Sequence, residues 1–442
     1  MDALRSPLTV PTARRRVARG LLALALLFHL SLLASWRLGF WNPFTFDSVA
    51  TQGHRGWDFF ALYQAGHNVL TGVSAYESAN HAVEVVVPRY TPFRYLPVSA
   101  YTVGVVLNAL PPLWAFRLWV LVSEALLLGC AALSWWVAPD RRRGAVMAAM
   151  WLCFTPYYLE LYLGQFNVVQ TALVLLMMVA VAEGPLLPVP RPRVLRRWRR
   201  GERGGRDALF GGAWVASLLW KQNTGLFVPL LLRQRRWRLL GVAALVVLVT
   251  SGPYFALQPG ALQAFLGNLS SGAPAPNLGN LGVRQFLYSL VSALTPGLSP
   301  DVHLWLQRAW VALVVGINLA LTLRDRRPPT LLHLCLWTSS YLLIYHHVWE
   351  HHYLLALPVL VMFYRCNGSP GVLMLWALLA VWTPYVLIDP RGMAGVHAPM
   401  RWTPLSPPLL DVLYHGSKAL PAVALWAYVV STILRRPRTE AP

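Results

Sequence analysis

VSAYTVGVVLNALPPLWAFRLWVLVSEALLLGCAALSWWVA, residues 98–138, decides how the rest of the chain is threaded. It is apolar enough to enter a bilayer and too long for one upright helix, which takes roughly 20 residues. Pro111 and Pro112 divide it into 98–110 and 113–138. If both parts crossed, the DRRR block at 140–143 and the basic tract at 191–206 would fall outside. That contradicts the rule that arginine-rich loops stay on the cytoplasmic side. We therefore read 98–110 as a partial or re-entrant element, 113–138 as a crossing, and the proline pair as a bend between them.

The flanks extend the same pattern. Residues 17–36, VARGLLALALLFHLSLLASW, follow three arginines at 14–16 and lack a small-x-small cleavage site, so they read as an uncleaved first helix rather than a signal peptide. Further apolar runs lie at 144–160, 166–182, 239–256, 302–323, 329–347, 353–364, 371–387 and 412–433, with 208–221 and 224–232 as a short hairpin. The sum is an all-α polytopic membrane protein, a single domain over 1–442 with twelve crossings and both termini cytoplasmic. Two long external loops are expected, 38–97 and 257–300, and short interfacial helices at 64–70 and 80–87 within the first.

The net charge of +21 would suit a nucleic-acid binder. The basic residues instead cluster between apolar runs, as at 191–200, 233–238, 323–328 and 434–438, which suits an anionic inner leaflet and argues against nucleic acid. Only 12% of the chain is charged, about half the share of a soluble protein. Cys130, Cys153, Cys335 and Cys366 show no metal-ligand spacing and imply no disulfide framework.

In so apolar a chain the few polar residues near the outer ends of spans are the candidates for chemistry. Asp58 lies in GWDFFALYQAG, 56–66, among Trp57, Phe59, Phe60 and Tyr63. Aromatic surroundings strip solvent from a carboxylate and make it a better base. Two blander readings remain open for it, a helix N-cap and a loop carboxylate held by Arg55. Lys221, in SLLWKQNTGLF, is one of two lysines. An ammonium in apolar sequence needs an anion, and a lipid phosphate is the obvious one. The alternative is a side chain that snorkels to the interface.

Gln165 and Asn167 sit at an expected external turn and offer amides to sugar hydroxyls or to unpaired backbone groups. Arg89 and Arg94 flank the entry to 98–110. Glu350, His351 and His352 end a span, and the histidines suit a phosphate oxygen or an acceptor hydroxyl. With His346 and His347 they have i,i+4 spacing, yet no metal site is expected. Arg117 and Glu124 read as structural, paired with neighbouring helices.

The order of these segments resembles glycosyltransferase family 87 of the GT-C superfamily, which includes polyprenol-phosphate-mannose-dependent alpha-1,2-mannosyltransferases. The resemblance rests on GWDFFALYQAG at 56–66, GVSAYES at 72–78, YTPFRYLP at 90–97, LGQFNVV at 163–169, WKQNTGLFVPLLLRQRRWR at 220–238 and WEHHY at 349–353. It implies a GT-C type fold and transfer of a hexose, mannose first, from a polyprenyl-phosphate-linked donor to a hydroxyl of a glycolipid or glycan acceptor. It implies Asp58 as the acidic residue of the first external loop that serves as catalytic base, and His351 or His352 as the late-helix histidine. Lys221, Arg94, Gln165, Asn167 and Glu350 complete the expected donor side. The expected partners are these substrates and membrane lipids, the enzyme is expected to act as a monomer at the external face of the bacterial plasma membrane, and no cofactor or metal enters the scheme. A multi-span transporter or flippase is the rival class, because broken helices and intramembrane polar groups serve transport too.

Overall fold

The computed structural model describes residues 10–48, 55–77, 91–182, 203–270, 279–324, 330–385 and 408–436. The expected interfacial helix at 80–87, Arg89 and most of the basic tract at 191–206 lie outside these residues.

Every regular element among the described residues is helical. Five helices are long and apolar enough to cross a membrane: Val10–Leu38 (α1, apolar from Arg16), Pro112–Val137 (α4), Trp237–Leu257 (α10), Pro300–Arg324 (α13) and Pro408–Leu434 (α17). Their outer faces need hydrocarbon. Leu245, Leu248 and Val249 of α10 and Trp305, Leu306 and Leu313 of α13 are all exposed, a surface no soluble monomer sustains. The chain is a multi-pass membrane protein. The other crossings in the expected twelve fall to short or broken pieces, whose length alone does not make them spans.

Residues 98–110 form one of these pieces. Helix Pro97–Leu107 (α3) holds a π-helical stretch at Ala100–Gly104. At a rise of about 1.5 Å per residue it reaches only roughly half the hydrocarbon core. Pro112 then opens α4 at its first position, where a missing N–H costs nothing.

Helix Trp57–Leu70 (α2) lies against α3 and takes in the stretch 64–70; Phe59 to Gly66 and Asn68 are buried and Leu70 is exposed. The two helices cross backbone to backbone at Gly66 and Gly104. A Cβ on Gly104 would sit 2.9 Å from Leu62 O and 3.0 Å from Gly66 Cα, and one on Gly66 would run into the Gly104 backbone. Tyr63 OH to Leu110 O (2.9 Å) and Asn108 Nδ2 to Tyr63 O (2.8 Å) lock the pair. Gly66→Ala is expected to force the helices apart at a cost of ~3 kcal/mol. A melting curve of the purified variant should show a lowered midpoint, and a midpoint equal to wild type would refute this packing.

The run expected at 144–160 is two helices, Arg141–Leu152 (α5) and Pro156–Leu163 (α6). Asp140 caps α5 by accepting from Arg143 N at 2.9 Å, and Pro156 starts α6 after the break. Gly164 (φ 63°) turns the chain in the left-handed region into Asn167–Val181 (α7). Glu124 of α4 pairs with His29 of α1 at 2.9 Å, and Arg117 stacks on Trp114 at 4.7 Å.

The expected hairpin at 208–232 is helix Arg203–Trp220 (α8), a 3₁₀ segment Gln222–Phe227 and a short helix Val228–Arg233 (α9). The segment 257–300 is more structured than a loop, for it carries Ala261–Ser270 (α11) and Val283–Leu294 (α12). Thr330–Ile344 (α14), a 3₁₀ turn Glu350–Leu355, Ala356–Asn367 (α15) and Pro370–Ala380 (α16) follow. α12 and α14 pack on α17, while α6 and α7 both pack on the Glu350–Leu355 turn. That last contact brings sequence-distant polar residues to one end of the bundle.

Candidate active site

The site begins at Gly56, whose positive φ of 85° and N–H bond to Tyr162 O (2.8 Å) set the start of α2. Asp58 therefore sits in the first turn of that helix and is not its cap. Arg55 does not hold it either. Arg55 is 3.0 Å from Asp47, which also accepts from Tyr158 OH, and it lies over the Trp36 ring. Both blander readings of Asp58 fall away.

Thr91 Oγ1 donates to Asp58 Oδ1 at 2.6 Å, and the Gln165 side chain lies near enough to favour the charged form of the same carboxyl. Burial pushes the Asp58 carboxyl above the usual carboxylate range, while Thr91, the Arg94 guanidinium, Gln165 and the Lys221 ammonium pull it back. Phe59, Phe60, Phe116, Trp119, Phe166 and Trp220 wall this end. Phe59 and Phe116 are 5.4 Å apart and Trp119 stacks on Trp220 at 5.9 Å.

Across from Asp58 a buried relay holds Lys221. Glu160 of α6 accepts from Val168 N (2.8 Å) and Asn167 Nδ2 (3.1 Å). A carboxylate that only accepts fixes the Asn167 amide with its NH₂ toward Glu160. Asn167 Oδ1 then faces Lys221 Nζ at 2.6 Å. Gln170 supports the same junction by donating to Lys221 O (3.2 Å) and Asn223 Oδ1 (2.5 Å). Asn167 thus orients the lysine, and Gln165 lies near the carboxylate.

The histidines complete the constellation. Their rings lie 4.3 Å apart, tilted 31° to each other. His352 Nδ1 accepts from Trp349 N at 3.0 Å, so its proton sits on Nε2 and that nitrogen is the donor. His351 is buried with neither ring nitrogen hydrogen-bonded. Lys221 acts electrostatically on both rings.

Glu350 is the exception among the expected residues. Its carboxylate accepts from Tyr385 OH (2.7 Å) and Thr383 N (3.3 Å) and lies 3.8 Å from Lys418 Nζ. Both oxygens accept bonds there, so these contacts fasten the turn to the segment at 383–385 and to α17. Asp58, Arg94, Gln165, Asn167, Lys221, His351 and His352 do come together. Sequence reasoning gave no role to Glu160 or Thr91. A carboxylate inside YYLELYL is a usable signal for the first, and nothing marks the second. Among the described residues no group of three or more His, Cys, Asp or Glu side chains is arranged to hold a metal ion.

Comparison with curated proteins returned no match. Among solved structures, the apo state of ArnT from Cupriavidus metallidurans aligns with a TM-score of 0.40 at 14% identity, over 91% of this chain and 76% of that one. The model of glycosyltransferase family 87 matches residues 93–345. That span holds Arg94, Gln165, Asn167 and Lys221 and leaves Asp58, His351 and His352 outside it. With more than half of its residues matched, the chain belongs to glycosyltransferase family 87.

Proposed function

We propose that this membrane glycosyltransferase moves a hexose, mannose first, from a polyprenyl-phosphate donor to a hydroxyl of a glycolipid or glycan, with inversion at the anomeric carbon. The observation that carries the reading is one carboxylate, Asp58, set against Lys221, Arg94 and two histidines within aromatic walls. Asp58 takes the proton from the acceptor hydroxyl as its oxygen bonds to the anomeric carbon. The bond from that carbon to the phosphate oxygen breaks, and polyprenyl phosphate leaves with the electron pair. The leaving group gains negative charge, so it needs cations rather than a protonating acid. Lys221, Arg94 and the Nε2–H of His352 serve that end, and Gln165 favours the charged form of Asp58. The reaction is assigned to the external face of the plasma membrane, with a monomer as the working unit.

Purified protein supplied with a polyprenyl-phosphate mannose and a mannosylated glycolipid, in EDTA, is expected to release free polyprenyl phosphate. Release should depend on acceptor, and the product should carry the inverted anomer. A nucleotide sugar that replaces the lipid donor, or a product with retained configuration, would overturn the proposal.

A further inference from the structure

A second cationic feature lies beside the Asp58 centre and takes no part in the scheme above. Asn280 Nδ2 donates to His346 O (2.9 Å) and Leu281 N to Val348 O (2.7 Å), so α12 begins against the chain that leads into the histidine turn. Arg284, half-buried in the first turn of α12, donates through Nε to Gln307 Oε1 of α13 at 3.3 Å. Arg308, next to Gln307, lies over the exposed Trp305 ring at 5.2 Å.

Among the described residues neither guanidinium has an ion-pair partner. Arg284 is instead under the field of Arg308, and His346 under that of Arg284 and Arg94. The nearest acid along α13, Asp301, is roughly 10 Å away by helical rise. One turn from Gln307 the buried His303, packed on Tyr288 at 4.5 Å, has an unpartnered Nδ1. A half-buried guanidinium beside like charge is costly unless an anion joins it. The apolar surface below suits a lipid that brings one. Leu313, Leu319 and Leu323 are exposed along α13 beyond Arg308, Trp305 lies beside it, and aromatic and basic residues together mark the headgroup level of a bilayer.

We propose that Arg284, Gln307 and Arg308 form a binding site for the phosphate of an anionic membrane lipid whose chains run down α13. The Arg284 fork, with only Nε engaged, is free to take two phosphate oxygens, and Arg308 closes from the lipid side. The site is separate from Lys221 and stands whatever the donor is.

The test is thermal unfolding of the purified full-length chain in neutral detergent with added phosphatidylglycerol, phosphatidylcholine or inorganic phosphate. Phosphatidylglycerol is expected to raise Tm on the order of 5 °C. Phosphatidylcholine and inorganic phosphate should leave it unmoved. Arg308→Gln, which alters only an exposed side chain, should lose most of the shift, and Arg284→Gln with Arg308→Gln all of it. Arg435→Gln with Arg436→Gln, at the other end of the molecule, should keep it, as should Asp58→Asn, so this result does not hinge on the catalytic reading. A full shift in Arg308→Gln would overturn the proposal. An equal shift with inorganic phosphate would overturn the lipid assignment.

Discussion

Asp58→Asn is expected to cut sugar transfer by roughly 10²–10⁴-fold, the usual worth of a general base. Asparagine keeps the size of the side chain and still accepts from Thr91, 2.6 Å away, so the fold and donor affinity should persist. The pH profile carries the second half of the prediction. A base works only when deprotonated, and burial raises the Asp58 pKa. Wild-type activity should therefore fall with acid at a pH above the ordinary carboxylate range, and this limb should vanish in the residual activity of the variant. Turnover near wild type, or an acid limb that survives the substitution, would return Asp58 to a structural role.

Lys221→Met should lower kcat by about 10²–10³-fold, because in the proposed reaction the ammonium offsets charge that grows on the departing phosphate. The substitution leaves Asn167 Oδ1 without its donor but keeps the Glu160 bonds to Val168 and Asn167, so the helix junction should hold. Glu160→Gln separates position from charge. A neutral amide donates as well as accepts, so it no longer dictates which way Asn167 points. A loss in kcat that Glu160→Asp partly restores would mark Glu160 as a positioning residue. Lys221→Met with unchanged kcat and raised KM would instead confine the lysine to donor binding.

Rarity made much of this legible. In a chain with 17 acidic residues and two lysines, a charged group inside apolar sequence stands out, and Asp58 and Lys221 were found that way. The short reach of 98–110 followed from charge placement alone. What stayed hidden depends on contacts between distant segments. Glu350 was grouped with its histidine neighbours, yet its partners are Tyr385 and Lys418. The Gly66–Gly104 crossing leaves no periodic trace, because a glycine marks an absence of side chain and not the helix that will fill it. The α5–α6 break was missed because apolarity runs straight through it.

The Glu350–Lys418 contact bears on how the enzyme is made. A chain emerges from the ribosome N-terminal end first and its parts dock in turn. Asp58, Thr91 and the Glu160–Asn167–Lys221 relay are all synthesised early. The turn that bears His351 and His352 comes later, and its buried Glu350 has no cation until α17 delivers Lys418, which also donates to Leu379 O (2.7 Å) and Val381 O. A helix far later in the chain is the one that brings a cation to the turn. Until α17 arrives, the turn that bears His351 and His352 lacks the contact between Glu350 and Lys418, so the setting of these histidines depends on a helix made well after Asp58 and Lys221.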